Sequence, residues 1–562
     1  MYKKHVKWLS GLLVLMVLLP CLSVMAAAED MVERWRMHEI TFTSQTVYAD
    51  PFNEAVLDVT FTGPGGAEMV MPGFWDGGAV WRVRFAPMEA GLWSWETKCS
   101  NTADAGLHGL TGQFTCVPYT GALDIYRRGF VKTVPGTRYF VYGDGTPFFY
   151  LGDTHWSMPG EPFETMFKTV VDTRAQQGFT VYQSEPLGIG HSDNGPGFNL
   201  RDGLGESDLA AFADLDRRFG YIAGAGLVHA NAQFFYASEL AEHDYGEAYL
   251  RKLGRYWVAR YGAYPVLWTT AQEADDDFYD VFKAESNPWK IVAGAVGASD
   301  PYHHPLSAHM ENTGSTRASN SEFKKLPAHS WFAAQTSPAL NDIYPRTKIG
   351  GSFEVVKDFW DNGGGKPAIL YEGRYENLWT KNFGARVQGW YAFLNGLYGH
   401  GYGAIDLWLH KSAYDIGTTS KDGIDTITPA DKAVPWTESL YFDTASQLGG
   451  HMKSFLQGME WWRLTPRFGS WKWCIPWQLT FLRGARYAVA TIGSDTYVAY
   501  FYNTNRATGI LRGLDSGPYR AEWFNPRTGE SVGIGEVCPF LGMYFVPCKP
   551  DAQDWVLYLC RG

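Results

Sequence analysis

Residues 368–377 read AILYEGRYEN. Four apolar residues run directly into a glutamate, which is followed by Gly-Arg-Tyr and a second glutamate. A short, uninterrupted apolar run bounded by turn residues fits a strand buried on both faces, and such strands belong to parallel sheets covered by helices. Parallel α/β folds use the carboxyl ends of their strands for chemistry. A carboxylate, a guanidinium and a phenol at such an end therefore have two readings, a solvated strand end or part of a site. The neighbouring sequence bears on the choice.

Between about residue 125 and residue 450, similar runs recur and alternate with amphipathic segments. They are FFYLGDTHW (148–156), FTVYQSE (179–185), GLVHANAQF (226–234), VLWTTAQE (266–273), KIVAGAVG (290–297), SWFAAQTS (330–337), AILYEG (368–373) and AIDLWLH (404–410). Between the first two, Phe163, Phe167, Val170, Val171 and Ala175 fall at helical spacing, and Gly178 suits a left-handed stop. Before the third, Leu209, Phe212, Leu215, Phe219 and Ile222 repeat the pattern, with Ser207 as the expected N-cap. SFEVVKDFWDNGG and FGARVQGWYAFLNGLYG supply later helices. Eight strands alternating with helices predict a closed parallel barrel, with an open doubly wound sheet as the alternative. A polar insert, DPYHHPLSAHMENTGSTRASN, is expected in the fifth-to-sixth connection.

The flanks read differently. HEITFTSQ, AVLDVTFTG, VWRVRFAP, LWSWETKC and GQFTCVP alternate in the manner of half-buried strands and are separated by GPGG and DGG turns, which predicts an antiparallel sandwich. After about residue 455 strands return without helices: YAVATIG, TYVAYFYN, GPYRAEWFNPRTGE and WVLYLC. The expected fold class is α/β: a (β/α)8 TIM-type barrel flanked by an N-terminal β-sandwich and a C-terminal antiparallel β-domain. The expected boundaries are 1–28 for a signal peptide, 29–120 for the sandwich, 121–455 for the barrel and 456–562 for the last domain.

Length agrees, since 562 residues exceed one compact core and imply about three domains. Aromatic residues reach 16%, with 23 Trp, 32 Tyr and 34 Phe, which serves either sugar-stacking platforms or large β-rich cores. The N-terminus carries Lys3, Lys4 and Lys7, then an apolar stretch, then small residues at Ala26–Ala28, the pattern of a cleaved secretory signal. Pro20 stands before Cys21 where a lipoprotein signal places a small residue, so lipid anchoring is not expected. No later segment approaches the ~20 apolar residues of a membrane span. Removing the leader takes three lysines and no acid, moving the formal charge from −11 to −14. Such an acidic chain is not built for nucleic acid.

Six cysteines remain: Cys99, Cys116, Cys474, Cys538, Cys548 and Cys560. None forms a C-x-x-C pair, so no zinc site is expected. Cys99 with Cys116 and Cys538 with Cys548 are the candidate local disulfides.

In a barrel, residues at the carboxyl ends of strands converge on one face. The fourth strand ends in Gln272-Glu273 and the seventh in Glu372, which places two carboxylates on opposite sides of one cleft. Glycosidic hydrolysis uses that arrangement: one carboxylic acid protonates the leaving oxygen and the other carboxylate attacks or stabilises the anomeric carbon. Glu273 also opens an acidic EADDD run, so an acidic helix start is its alternative, and Asp275 replaces it if the register slips by two. Arg374 is placed to clamp Glu372, and Glu376 reads as a rim or structural charge. Other candidates are Asp153, His155 and Trp156 after the first strand, and Gln183 and Glu185 on the second. His229, Asn231 and Gln233 lie on the third, Gln335 ends the sixth, Tyr375 follows Glu372, and Asp406, Trp408 and His410 end the eighth. No G-x-x-x-x-G-K-[ST] or G-x-S-x-G occurs, and His303, His304 and His309 lack an H-E-x-x-H context. No metal or other cofactor is called for.

LGDTHW, the LW-x-x-x-x-E run ending at Glu273, ILYEGRYEN and GHGYGAIDLW together resemble the signature of apiosidase-like glycoside hydrolases with a (β/α)8 barrel. The N-terminal sandwich resembles the small β-domain that precedes such barrels, and AEWFNPRTGE is similar to a collagen-binding-like tail domain. The resemblance implies a retaining mechanism, with Glu273 as acid/base and Glu372 as nucleophile. It also shows a departure: Gln272-Glu273 stands where the characterised apiosidase type carries Gly-Asp, and is similar to the Asn-Glu of the wider retaining clan. A carboxylate one methylene longer alters the subsite, so hydrolysis is implied while apiose is not. The expected partner is a carbohydrate. The rival readings are a non-catalytic carbohydrate-binding protein and a polysaccharide lyase with Tyr375 or His229 as base.

Overall fold

The computed structural model describes residues 30–156, 158–186, 204–232, 246–270, 274, 287–311, 322–335, 353–377, 382–408, 433–468, 474–476 and 486–561. The first part is a two-sheet sandwich. Five strands lie in the order Met31–Glu33, Thr111–Val117, Gly91–Cys99, Leu57–Thr62, Glu68–Pro72, and three in the order His38–Thr43, Val80–Phe85, Phe74–Trp75. The period-2 alternation is visible in Leu57, Val59 and Phe61, which are buried while their neighbours are half-buried. Phe61 stacks on Phe85 of the facing sheet at 4.0 Å between ring centroids.

The same register overturns one disulfide. Cys116 pairs with Gly91, at the opposite end of the strand from Cys99. Eight residues of strand put the two thiols roughly 26 Å apart, far beyond the reach of a disulfide. Cys99, Cys116, Cys538, Cys548 and Cys560 are all free thiols in the structure.

The central part is the parallel barrel. Its strands are β1 (Tyr150–His155), β2 (Val181–Ser184), β3 (Val228–Ala232), β4 (Val266–Thr269), a broken β5 (Leu306–Ser307 and His309–Glu311), β6 (Phe332–Gln335), β7 (Ala368–Glu372) and β8 (Gly399–Tyr402). All neighbours pair in parallel, and β1 pairs with β8. The ring closes through β5, whose first half pairs with β4 and whose second half pairs with β6. The helices around it include α1 (Lys168–Gln176), α2 (Glu206–Gly224), α3 (Glu247–Tyr261), α4 (Trp289–Ser299), α5 (Phe353–Asn362), α6 (Asn382–Leu394) and the short α7 (Ile405–Trp408). Gly178 ends the α1 turn at φ +93°, where a Cβ would also stand 2.5 Å from the Gly449 carbonyl oxygen. Helix α2 starts from Gly205, whose N–H donates to Asp208, rather than from Ser207.

Two strand expectations are corrected. KIVAGAVG is helix α4: Trp289, Val292, Ala293 and Val296 are buried at helical spacing. The fifth strand lies instead inside the segment read as an insert. AIDLWLH is not the eighth strand either, since β8 is GHGY and Ile405–Trp408 is helical.

The last part holds a six-stranded antiparallel sheet, in the order Thr465–Pro466, Tyr487–Ile492, Thr496–Phe501, Trp555–Cys560, Tyr519–Phe524, Ser531–Val537. Both of its faces are covered. Ala488, Ala490, Val498, Tyr500, Phe524 and Val556 merge with the barrel core, while Val489, Tyr497, Ala499, Phe501, Leu557 and Leu559 form a separate core. The sandwich is fixed to the barrel by charge as well: Arg84 donates to Asp216 at 2.7 Å and to the Arg260 carbonyl at 2.9 Å. Burial alone would raise the Asp216 carboxyl, but Arg84 and Arg260 hold it far below the usual range. Among the described residues no helix is long and apolar enough to cross a membrane.

Candidate active site

Strand parity sorts the candidates. On β1, Tyr150 and Thr154 point into the barrel, where Gln183 of β2 joins them. Tyr150 donates to Gln183 Oε1 at 3.0 Å, and Gln183 Nε2 donates to Thr154 Oγ1 at 3.2 Å and to the Tyr371 carbonyl at 2.8 Å. Gly401 makes room for this cross-piece, because a Cβ there would lie 2.1 Å from the Tyr371 oxygen and 2.5 Å from Gln183 Oε1. Gln183 is wholly buried and forms the barrel floor, so the sugar contact expected of it is replaced by internal bonds.

Asp153 and His155 have the opposite parity and face the helices. His155 Nε2 lies 2.5 Å from Asp153 Oδ2, and Arg174 of α1 donates to the same oxygen at 2.7 Å. His155 Nδ1 lies 3.3 Å from Glu161. Burial favours neutrality for both, yet Arg174 and His155 lower Asp153, and Asp153 with Glu161 pushes His155 up to about 9. These groups are a buried ionic support behind the wall, not substrate contacts. Asn231 also faces outward, accepting from Trp257 of α3 at 3.1 Å. His229 beside it pairs with Ser184 at 2.6 Å, and burial pushes its imidazole down to about 3.

Other candidates converge. Trp156, one residue past β1, donates its indole N–H to the Tyr375 hydroxyl at 2.6 Å. Tyr375 donates to Glu372 Oε1 at 2.6 Å, and His309 Nε2 of β5 lies 3.2 Å from Glu372 Oε2. The direction of this chain is fixed by chemistry: indole only donates and carboxylate only accepts, so the phenol must accept from Trp156 and donate to Glu372. Trp408 stacks on Tyr375 at 5.1 Å, and Trp156 stacks on His309 at 5.5 Å. Glu372, His309, Tyr375 and Trp156 are all buried.

A bulge explains why Glu372 reaches this cleft. Tyr371 packs against Trp156, His309 and Trp331, so simple alternation would send Glu372 outward. The β6–β7 register, however, passes from Ala334↔Leu370 to Gln335↔Glu372, skipping Tyr371. An extra residue re-aims the next side chain, and consecutive residues then serve one cleft. Burial pushes the Tyr371 phenol far up, with Thr269 opposing and with Glu372 and Glu185 adding to the rise. Glu185 itself is buried just past β2, and Gln335 ends β6 beside Glu372.

The remaining candidates have the following described contacts. The Arg374 main chain is held by Gln388, its N–H donating to Oε1 at 2.7 Å and its carbonyl accepting from Nε2 at 2.9 Å, while the described contacts of Glu372 are Tyr375 and His309. Glu376 accepts from Tyr402 at 2.5 Å and Thr444 at 2.9 Å, and burial raises its carboxyl against those bonds. Asp406 is buried and accepts from Asn377 at 2.7 Å and from the Val434 N–H at 3.2 Å. Glu273, with Gln272, Asp275, Gln233 and His410, lies outside the described residues. His309 was not legible as a site residue, because its strand was placed elsewhere; the small polar strand LSAHME carried the missing signal.

The parallel eight-stranded barrel is a fold shared with glycoside hydrolases, and the family match over most of the barrel puts the chain in that class of enzymes. Residues 134–463 match the family described as "Apiosidase-like, catalytic domain", and the chain belongs to that family. Residues 31–100 match "Domain of unknown function (DUF5060)" and residues 481–560 match "Putative collagen-binding domain of a collagenase". The fold is similar to that of a "putative glycoside hydrolase" from Bacteroides vulgatus ATCC 8482, with TM-score 0.68 and 18% identity over 95% of this chain and 100% of that one. It is also similar to a glycoside hydrolase family 5 structure from the same organism, with TM-score 0.61 and 17% identity over 78% of this chain and 94% of that one. Comparison with curated proteins yields no match.

Proposed function

We propose that the protein is an exported, retaining glycosidase acting on a polysaccharide or its oligosaccharides, with Glu372 as nucleophile and Glu273 as acid/base. The observation that carries this reading is the Glu372 carboxylate, buried at the end of β7 with Tyr375 on one oxygen and His309 beside the other. Two-sided support keeps a nucleophile in one rotamer and aims it across the cleft. Glu273 follows Thr269 by four residues in the sequence, and Thr269 neighbours Tyr371. A lyase is less well supported: His229 faces the helices, and the Tyr375 hydroxyl is engaged by Trp156 and Glu372. The lysine-led apolar N-terminus supports export.

A panel of aryl glycosides and polysaccharides, followed by NMR of the first-formed anomer, tests the proposal. Retention is expected, with Glu372→Gln and Glu273→Gln each lowering kcat by at least about a thousandfold. An inverted anomer would reject the retaining step. Full activity in Glu372→Gln would reject the assignment altogether.

A further inference from the structure

The C-terminal β-domain touches the barrel at a telling place. Arg386 on α6 forms a two-pronged pair with Asp554 of that domain, at 2.8 Å and 2.7 Å, and Asp554 also accepts from Tyr500 at 2.7 Å. The third guanidinium nitrogen donates to Gln447 at 2.7 Å. One helical turn further, Trp390 stacks on Tyr500 at 5.6 Å. Arg386 and Asp554 are buried, so this contact is an internal part of the molecule and not a surface association.

Both elements joined by Arg386 hold the segment that follows Glu372. Helix α6 carries Gln388, whose amide grips the Arg374 N–H and carbonyl as a neighbouring strand would. Gly373 permits the approach, because a Cβ there would lie 2.4 Å from Gln388 Oε1. The short helix Asp443–Ser446, directly before Gln447, carries Thr444, which donates to Glu376. Two side-chain anchors of the loop 373–376, Gln388 and Thr444, are thus tied through one arginine to one aspartate of another domain, while Trp156 on Tyr375 and Tyr402 on Glu376 hold it from the barrel itself.

We infer that the C-terminal β-domain is a positioning element for the catalytic loop, with Asp554 and Arg386 as positioning residues that set the loop behind Glu372. The inference rests on the assignment of Glu372 to catalysis. Without the Asp554 carboxylate, Arg386 loses its two-pronged partner, and the α6 and Thr444 anchors, still joined by the Arg386–Gln447 bond, lose their common tie to the C-terminal domain. The Tyr375 hydroxyl, on the same loop, then no longer meets Glu372 at a fixed distance.

Amide hydrogen exchange on the full-length protein tests this without requiring a known substrate. In Asp554→Asn the peptide spanning 368–377 should exchange about tenfold faster, the scale of one lost hydrogen-bond clamp, while the sandwich strand 57–62 stays unchanged. With any substrate the wild type turns over, kcat should fall about tenfold with KM nearly constant, measured well below the melting temperature. Gln388→Met should reproduce the loop exchange and the kcat loss while leaving strand 555–560 as protected as in wild type. If Asp554→Asn does not fold, Arg386→Lys, which keeps the charge but cannot form the two-pronged pair, carries the same test: faster exchange at 368–377 supports the inference and wild-type exchange there overturns it. An Asp554→Asn protein that loosens strand 555–560 but leaves 368–377 and kcat unchanged overturns the inference. If no glycoside is cleaved by the wild type, the proposed function falls, and the exchange result alone decides the linkage.

Discussion

Replacing Tyr375 by Phe removes one oxygen atom and two hydrogen bonds. The bond to Glu372 is charge-assisted and buried, and such a bond contributes about 1.5–3 kcal/mol. The bond from Trp156 costs differently, since its loss strands a buried indole N–H at about 1–3 kcal/mol. Tyr375→Phe should therefore lower stability by about 2.5–6 kcal/mol in urea unfolding. It should lower kcat/KM by about 10- to 150-fold if the first term is lost at the transition state. Trp156→Phe separates the two terms, because it removes the N–H that would be stranded. In the double variant that penalty disappears, so the combined loss should fall short of the sum by about 1–3 kcal/mol. Strict additivity, or a Tyr375→Phe enzyme within twofold of wild type, would refute the Trp156–Tyr375–Glu372 relay.

Alkaline pH acts on a different group. His155 rises from 6.5 to about 9 as Asp153 and Glu161 outweigh the opposing effect of burial. Its contribution of about 3 kcal/mol is then complete below pH ~6.5 and is lost as pH climbs through ~9. Urea unfolding at pH 6 and pH 10 should show that loss in the wild type and much less of it in His155→Gln; equal pH dependence would contradict the assignment. Gly401→Ala should cost about 3 kcal/mol or prevent folding, because the new methyl enters the Tyr371 carbonyl and Gln183. Thermal melts that match wild type would show that the floor is loosely packed.

The sequence revealed the barrel through its apolar runs, and it misled where apolarity and strand formation part company. KIVAGAVG is apolar enough for a buried strand, but Trp289, Val292 and Val296 define a helical stripe that a run of eight cannot distinguish from a strand. GHGY carries almost no apolar signal, because glycines are needed where Tyr371 and Gln183 crowd the barrel axis. At the site, the glutamate at the end of β7 was legible from its position. Its neighbours were less so: Asp153 and Asn231 occupy strand ends but have the outward parity, and ±1 in register decides such cases. Tyr371 and Glu372 break that parity through a bulge created by the partner strand, which no single segment encodes.

The amide of Gln183, slung between Tyr150, Thr154 and the Tyr371 carbonyl, crosses the lumen beside the residue that precedes Glu372. A sugar ring can settle against that lid of nitrogen and oxygen but cannot sink past it. Depth is therefore a constant of this enzyme, and recognition of one saccharide over another must be written in the surrounding loops. Attempts to retarget the protein by hollowing out its centre would loosen the residue adjoining Glu372, whereas trading rim segments would leave the barrel floor whole.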